Sequence, residues 1–499
     1  MVRATTPLSS PHNACATMIR PCFVAFCSCW VSLLMPLFTP GRLSADTHET
    51  EAILASPDSV SAWSYALSPA DESLLDEIQY GCFQYFWKEV GDPAMLAKDK
   101  TSDTICSIAA VGFQLSSLPI GVERGWITRE QGQQRALAIL TSLRDRPDNK
   151  KYGIYFHFVD KDTGGLPDFS KTKYPYELRA STVDHALFQA GAMTAASYFG
   201  GDVAKIADEI IEDANWQAYQ NDEDGYLNFG WRAETDRGVD GPGKMSEWVW
   251  QRASDEDRLI YFLAVGSPCN DHAIAPESYY RLERHVKQHD NLPPYVVSWN
   301  GSLFTYFFAH CWIDYRHLGA DDPNAFGVVA PRVDWFENSR RAVLTQRQRC
   351  IEAGGTYPTL STNRWGLAPC AFKDHYLVHE TRPNIVDQDK WHDGVVPPYA
   401  AGSAIMFAPA ESLAAMREYR GLKDRHGQPL VWRDPDQDGY GFVDSFHLDP
   451  PYGQEEYLGI DQGPMLLAIE NIRSGLPWRL FMQHDVAKRA VKRLQLKPR

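Results

Sequence analysis

The chain has 499 residues and a formal net charge of −15, and 44% of its residues are hydrophobic. A chain of this length forms one large domain or roughly two to three ordinary ones, with a sizeable core. The acidic balance argues against nucleic acid and an anionic membrane surface as partners, because both repel negative charge. Neutral or cationic small molecules and neutral polymers remain as ligands.

The first 45 residues have the composition of a secretory signal peptide. They contain three arginines and no acid, an apolar run from Cys22 to Phe38, and small residues up to Ala45. We therefore expect cleavage after Ala45, a disordered tail over 46–70, and a periplasmic or secreted protein that is free of the membrane. An uncleaved membrane anchor is the alternative.

Neither the cysteines nor the acidic segments form a complete metal-binding motif. Asp434–Gly439 copies the first half of an EF-hand loop, but the twelfth position is Ser445 rather than glutamate, so an acidic turn is the simpler interpretation. We expect neither a metal nor a cofactor. The six cysteines beyond the leader are compatible with buried thiols or one disulfide, and they are Cys82, Cys106, Cys269, Cys311, Cys350 and Cys370.

Apolar residues recur with a helical period from residue 71 onward. Two segments alternate with period two instead, Tyr152–Phe158 and Tyr226–Trp231, and these are predicted as short strands in loops. Capping-box patterns that begin at Thr128, Ser181 and Ser254 mark three helix starts. We predict twelve helices, over residues 71–90, 103–119, 128–144, 181–198, 202–218, 254–265, 276–286, 301–317, 333–352, 402–420, 461–474 and 479–492.

Twelve helices without strand–helix alternation argue against a parallel α/β sheet. They pair into six helical hairpins without remainder. We therefore predict one all-α domain over residues 71–499, an (α/α)6 toroid or barrel with short β-hairpins in its loops. We expect it to be a monomer.

The segment Ala253–Pro268 places acids at the start of an almost wholly apolar helix. The apolar residues after Arg258 predict a helix that is buried on most sides. Asp255 and Glu256 then lie in its first turn, at the edge of the core, which is a favourable position for acid–base chemistry. The alternative is that these acids only complement the helix dipole.

Three further acids are candidates for a site. Asp184 is the N3 residue of a capping box, so substrate binding and capping are equally good interpretations. Asp444 lies in a glycine-flanked loop with no evident cap, which favours function over structure. Asp461 either contacts substrate or serves as a first-turn acid of helix 461–474.

Many aromatic residues fall in loops bounded by glycine and proline. Aromatic faces stack on the C–H faces of sugar rings, while nearby polar groups bind the hydroxyls. The alternative is that these rings pack the loops onto the core. The aromatic residues that we expect to bind a glycan are Trp231, Trp299, Trp365 and Tyr399.

Several segments, taken in order, resemble the bacterial glycoamylase-like family that includes the β-1,2-glucanases. A related domain occurs in cyclic β-1,2-glucan synthases. The resemblance covers about residues 75–490. The segments that carry it are Ser181–Leu187, the Glu256 helix with its ending Ala264–Pro268, Pro276–Tyr279, Gly301–Thr305, Trp312–Asp314, Asp334–Ser339, Asn363–Leu367 and Leu458–Pro464.

The resemblance implies an (α/α)6 barrel and an anomer-inverting glycoside hydrolase that acts on β-1,2-glucan. It implies that Glu256 is the general acid, that Asp184 lies in the cleft and that Asp444 is the base. Two departures, Asp255 and Arg179, stand where the family often has serine and glutamate, and we expect both to affect substrate binding.

Two other classes of function remain open. A polysaccharide lyase uses the same kind of toroid, but it needs a basic residue that neutralises a uronate, and the acidic motifs argue against it. A non-catalytic glycan-binding protein keeps the aromatic residues without needing a buried acid.

Overall fold

Helices dominate the computed structural model, which describes residues 65–168, 179–234 and 241–499. The predicted leader, 1–45, and residues 46–64 of the predicted tail lie outside the described residues. The described helices are α1 (Pro69–Lys88), α2 (Ile108–Glu123), α3 (Arg129–Arg144), α4 (Thr182–Phe199), α5 (Gly201–Asp213), α6 (Asp255–Gly266), α7 (Pro276–Tyr280), α8 (Trp335–Ala353), α9 (Pro398–Ser403), α10 (Pro409–Gly421), α11 (Gly459–Arg473), α12 (Leu476–Met482) and α13 (Asp485–Arg493).

Short antiparallel strands occupy the loops, as the sequence predicts. In the largest described sheet, Gly230–Ala233 pairs with Arg179–Ser181 on one side and with Gly243–Met245 on the other. The described strands are β1 (Ile105–Ser107), β2 (Lys150–Lys151), β3 (Ile154–Tyr155), β4 (Phe158–Asp160), β5 (Arg179–Ser181), β6 (Leu227–Asn228), β7 (Gly230–Ala233), β8 (Gly243–Met245), β9 (Val249–Trp250), β10 (Val286–Lys287), β11 (Tyr295–Val296), β12 (Cys370–Phe372), β13 (His375–Leu377), β14 (Trp432–Arg433), β15 (Gly441–Phe442), β16 (Phe446–Leu448) and β17 (Pro451–Gly453).

The predicted helix over 301–317 is wrong. The segment forms two 3-10 turns, Leu303–Tyr306 and Ala309–Cys311. The backbone N–H groups of Ala309 and His310 donate to the Asp255 carboxylate, at 3.0 and 3.4 Å, instead of to carbonyls of a preceding helical turn. An α-helix needs those donors for its own ladder, so the segment stays irregular.

Four other predicted helices end early or divide. The helix predicted over 276–286 ends at Tyr280, and the one over 202–218 ends at Asp213 before a short 3-10 turn. The one over 402–420 becomes α9 and α10, because Pro409 begins a new helix and lacks the N–H that a continuous ladder requires. The one over 479–492 divides into α12 and α13.

The core is built around α2, α4, α6 and α11. Helix α2 packs against α4 and α11, and α11 also packs against α1. At the α2–α4 crossing a Cβ on Gly191 would lie 1.9 Å from the Gly112 carbonyl oxygen, so the two backbones are in contact. All residues of α6 are buried, including Leu259 and Phe262, as the apolar sequence predicts.

None of the six described cysteines forms a disulfide, and all except the half-buried Cys269 are buried. Burial raises the pKa of the Cys350 thiol to about 12, so this group stays neutral. Of the two interpretations that the sequence allows, buried thiols are confirmed for five of these cysteines. Across the described ranges, we find no helix that combines the length and apolarity needed to cross a bilayer.

The EF-hand-like segment is an acidic turn. The carboxylate of Asp434 accepts the Asp436 backbone N–H at 3.0 Å and caps the 3-10 turn Pro435–Gln437. Asp434 therefore satisfies a local backbone donor, as Asp residues commonly do in turns.

Candidate active site

The first turns of three helices meet at one cavity. Asp184 on α4, Glu256 on α6 and Asp461 on α11 all line it. The volume of the cavity, including the open space at its entrance, is about 390 Å³. The rest of the lining is mainly apolar and aromatic, and it consists of Val183, Leu187, Phe304, Phe308, Pro369, Tyr376, Tyr399 and Ile460. Three carboxyl groups thus face a narrow space with aromatic walls.

A wider groove lies between α5 and α13. Its volume, including the open space at its entrance, is about 1440 Å³. The acids along it, Asp208, Glu212 and Asp485, are all exposed, and they alternate with basic residues of α13. Acid–base catalysis uses burial to shift the pKa of a carboxyl group, and these acids are not buried. We therefore place the chemistry in the smaller cavity.

Glu256 is held by the capped first turn of a fully buried helix. Ser254 Oγ accepts the Asp257 N–H at 3.3 Å and donates to the Asp257 carboxylate at 2.5 Å. That carboxylate also accepts the Arg252 N–H at 3.2 Å. In the predicted capping box it accepts the Ser254 N–H instead, so the box forms only in part. Burial raises the pKa of Asp257 to about 7. Asp257 therefore fixes the turn, and Glu256, 7% exposed, faces the cavity.

The structure places Asp255 in the core rather than on the cavity wall, so its predicted role in substrate binding has no support from its position. The residue is fully buried and forms an ion pair with Arg258, whose guanidinium lies 3.8 Å from the Trp335 ring centroid. Its second oxygen accepts two backbone N–H groups from the 3-10 turn at 309–311. Asp255 therefore joins α6 to the segment that carries the cavity residues Phe304 and Phe308.

Asp184 lies in the first turn of α4, after Ser181. The Ser181 side chain makes no capping hydrogen bond, so the serine half of the predicted capping box is absent. Asp184 is 3% exposed, and its Oδ1 lies 3.7 Å from Nε2 of His157. The backbone N–H of His157 donates to the Arg179 carbonyl at 2.8 Å, which ties this histidine to strand β5. The position of Asp184 favours the substrate-binding interpretation over the capping one.

Asp444 lies behind Asp461 rather than on the cavity wall. It follows β15, is 2% exposed, and accepts the Ala371 N–H at 2.6 Å. It faces Asp461, which lines the cavity. Burial raises the pKa of Asp444 to about 7, while Asp461 and the Ala371 N–H lower it. The two late acids therefore form a buried carboxyl pair.

The predicted aromatic residues have different environments. Tyr399 lines the cavity, and its hydroxyl donates to the Pro369 carbonyl at 2.9 Å. Trp365 is fully buried and lies outside the lining, so its predicted role in glycan binding has no support from its position. Trp231 stacks on Phe156 and Trp299 is half-buried, and both lie outside the lining, as does Arg179. The binding roles of these three stay predictions.

Sequence reasoning missed most of the aromatic and apolar walls. Phe304 belongs to a segment that carried the family resemblance, and Ile460 precedes Asp461, so both had a signal in the sequence. Phe308, Pro369 and Tyr376 had none, because their position depends on how distant loops fold over the cavity.

The chain is similar to several known proteins. Residues 247–485, which include Glu256, Asp444 and Asp461, match the Glycoamylase family model, which is named for glucoamylase. The chain is 28% identical over 468 residues to the exo-β-1,2-glucooligosaccharide sophorohydrolase (non-reducing end) of Parabacteroides distasonis. That match covers 87% of this chain and 59% of the relative, so the chain spans about three fifths of the relative's length.

Two solved structures share the fold. A Bacteroides uniformis protein that carries the glucoamylase name has a TM-score of 0.69 at 26% identity, covering 87% of this chain and 99% of the other. A β-1,2-glucanase from Parabacteroides distasonis has a TM-score of 0.70 at 25% identity, covering 87% of this chain and 61% of the other. The chain therefore resembles the glycoamylase-like family over residues 247–485 and shares the fold of a β-1,2-glucanase, as its motifs predicted.

Proposed function

We propose that this protein is a glycoside hydrolase that cleaves β-1,2-glucan, or oligosaccharides with that linkage, with inversion of the anomeric centre. The observation that carries the proposal is the convergence of Glu256, Asp461 and Asp184 on one aromatic-walled cavity. The relative from Parabacteroides distasonis, a β-1,2-glucooligosaccharide sophorohydrolase, supports the linkage.

Glu256 serves as the general acid in this proposal. Inverting hydrolysis needs one protonated carboxyl group at the leaving oxygen and one ionised carboxyl group that activates water. Glu256 is nearly buried, with the apolar body of α6 behind it, and burial favours the protonated form of a carboxyl group. Tyr376, Tyr399 and the phenylalanines of the wall offer faces for sugar rings.

The lining argues against a polysaccharide lyase. A lyase requires a cationic side chain beside the uronate of its substrate. Among the described residues that line the cavity, three are carboxylic acids and none is Arg, Lys or His. A cavity with this charge rejects a uronate and accepts a neutral glucan.

We also propose that the helices close into an (α/α)6 barrel, with the cavity at the N-terminal ends of α4, α6 and α11. The leader composition supports export, with removal of residues 1–45 and a periplasmic or secreted mature protein. Both proposals have direct tests. N-terminal sequencing of exported protein should begin near Asp46, and a crystal structure should show six helical hairpins around the cavity.

A linkage panel tests the activity. Purified protein is incubated with β-1,2-, β-1,3-, β-1,4- and α-1,4-linked glucans, with Glu256→Gln as the inactive control. We expect products from the β-1,2-glucan alone, and proton NMR of fresh product should show the α-anomer. Cleavage of only the α-1,4-linked glucan, or of none, would contradict the proposal, and a lasting β-anomer would contradict inversion.

A further inference from the structure

We propose that Trp248 is an outer sugar-binding residue at the entrance of the cavity, where its indole ring stacks on a glucosyl unit beyond those that flank the cleaved bond. The inference rests on the proposed function. It adds to that function a determinant of substrate length, which lies outside the cavity lining.

Trp248 lies close to the first turn of α4. Its backbone carbonyl accepts the Phe229 N–H at 2.9 Å, and the Phe229 carbonyl accepts the Thr182 N–H at 3.1 Å. Paired strands lie about 4.8 Å apart, so two such steps place the backbones of Trp248 and Thr182 about 10 Å apart. Thr182 is the first residue of α4 and directly precedes Val183 and Asp184, which line the cavity.

Aromatic rings connect Trp248 to that turn. The indole N–H of Trp250 donates to the Thr182 hydroxyl at 2.9 Å, and the Trp250 ring stacks on Phe229 with the centroids 4.0 Å apart. Side chains two residues apart in an extended segment share a face, so Trp248 and Trp250 lie on the same side. Trp250 is 7% exposed and Trp248 is 52% exposed. The aromatic row therefore runs from the first turn of α4 out to solvent.

Trp248 is exposed although its backbone is firmly held. Of the tryptophans in the part of the chain that the structure describes, Trp248 alone is exposed. Its N–H donates to Ser246 Oγ at 3.1 Å, and the Ser246 N–H donates to the Gly230 carbonyl at 2.7 Å. The Asn228 side-chain amide donates to the Ser246 carbonyl at 2.8 Å. A ring on so fixed a backbone loses little conformational freedom when a ligand binds.

Polar side chains accompany the ring. Lys244 and Glu247 lie on the same loop, their side chains are 61% and 88% exposed, and Lys244 Nζ is 3.9 Å from Glu247 Oε1. An ammonium and a carboxylate both bind hydroxyl groups, and together they add no net charge. An aromatic face with such groups nearby suits a neutral sugar, whose C–H face stacks while its hydroxyls form hydrogen bonds.

The separation from the cleaved bond decides which kinetic constant responds. Trp248 lies outside the lining that contains Glu256 and Asp461, so its contact with a sugar is the same in the ground state and the transition state. A contact of this kind lowers KM and leaves kcat nearly unchanged. Oligosaccharides too short to reach the ring gain nothing from it, so the effect should depend on chain length.

Kinetics on a length series of β-1,2-gluco-oligosaccharides test the role of the ring. Trp248→Ala should raise KM about 3–10-fold for long chains, the ordinary strength of an aromatic contact, and leave KM for the shortest cleaved chain unchanged. Trp248→Phe keeps an aromatic face and should restore most of the affinity. An unchanged KM at every length, an equal rise at every length, or a Trp248→Phe variant no better than Trp248→Ala would overturn the inference.

Tyr65→Ala is the matched control. Tyr65 is another exposed aromatic residue, at 44%, and it precedes α1. Glu72 of α1 accepts from Arg473 at 2.8 Å, at the C-terminal end of α11. Asp461 lies in the first turn of α11, about 18 Å away along the helix axis. Tyr65→Ala should therefore keep the wild-type KM at every chain length.

Binding measurements in the inactive Glu256→Gln background separate this inference from the proposed function. Calorimetric titration with the long oligosaccharides should give a Kd about 3–10-fold higher when Trp248→Ala is added. If the wild type cleaves β-1,2-glucan and Trp248→Ala matches it at every length, the inference alone is wrong. If the wild type cleaves no glucan and Trp248→Ala still weakens binding of long chains, the proposed function alone has failed. A protein that binds no glucan overturns both.

Discussion

Asp255 and Glu256 are adjacent in sequence and have opposite surroundings. Asp255 is fully buried against Arg258 and two backbone N–H groups, whereas Glu256 faces the cavity. Successive side chains of a helix point about 100° apart. Asp255 therefore faces the core while Glu256, the next residue, faces the cavity. The ion pair of Asp255 thus fixes the backbone that presents Glu256.

Replacement of Glu256 by glutamine should remove the proton donor without changing the shape of the side chain. We expect turnover on β-1,2-glucan to fall by about 10²–10⁴-fold, with binding retained, because general acid catalysis contributes that much. Initial rates and glucan titrations measure the two effects. Glu209→Gln, on α5 beside Arg144, is the matched control and should keep wild-type rates. A variant that retains more than about a tenth of the turnover would mean that Glu256 is not the acid.

Replacement of Asp255 by asparagine should chiefly affect stability. It leaves the guanidinium of Arg258 buried without its counter-charge, and breaking a buried ion pair in this way costs about 3–5 kcal/mol. Urea denaturation measures the loss. The exposed acid Asp485, which pairs with Lys488, provides the control, and Asp485→Asn should change the midpoint little. A midpoint for Asp255→Asn equal to that of the control would show that the buried pair is not needed.

At the scale of elements, the sequence predicts helices well wherever an apolar pattern continues without interruption. Helices α3, α4 and α6 begin and end within one residue of their predicted limits. The prediction fails over 301–317, because the donors of that segment bond to Asp255, which is distant in sequence. The local sequence pattern does not show that a distant side chain will bind these backbone donors. The tertiary hydrogen bonds therefore decide whether the segment forms a helix.

The candidate site was predictable to a similar degree. Motif and helix position identified Glu256, Asp184 and Asp461, which the fold brings together. The same pattern assigned Asp255 and Trp365 to the substrate, because burial against a distant partner leaves no mark on neighbouring residues. Most residues of the cavity walls were not predicted either, because contacts between distant parts of the chain leave no mark on the local sequence.

The crossing of α2 and α4 has no room for a side chain. A Cβ on Gly191 would lie 1.9 Å from the Gly112 carbonyl oxygen, so Gly191→Ala must separate the two helices. We expect a destabilisation of about 1–3 kcal/mol, the usual cost of overpacking, measured by urea denaturation. Gly355→Ala is the control, since a Cβ there meets nothing within 4 Å. Equal midpoints would show that the helices move apart without cost.

At the scale of the whole molecule, buried carboxyl groups link stability to pH. Burial raises the pKa of Asp257, as well as that of Asp444, to about 7. Such a group binds its proton more tightly in the folded state, so the stability it contributes falls as pH rises from about 4 through 7. Buried histidines act oppositely, and burial lowers the pKa of His185 to about 3.

A comparison with Asp257→Asn isolates one of these contributions. The variant cannot titrate at this position, so it should lose less free energy of unfolding between pH 5 and 8 than the wild type does. Urea denaturation at both pH values gives the two differences. If the wild type and the variant change in parallel, then Asp257 is ionised throughout this range and burial does not control its proton.

The packing of α1 on α11 has a consequence for synthesis of the protein. Gln79 of α1 donates to Glu470 of α11 at 2.9 Å, and Arg473 reaches back to Glu72 at 2.8 Å. The ribosome makes α1 well before α11, so the apolar face of α1 lacks this partner while the residues between the two helices are being made. Contacts so distant in sequence form slowly, and the nascent chain meanwhile exposes surface that chaperones bind.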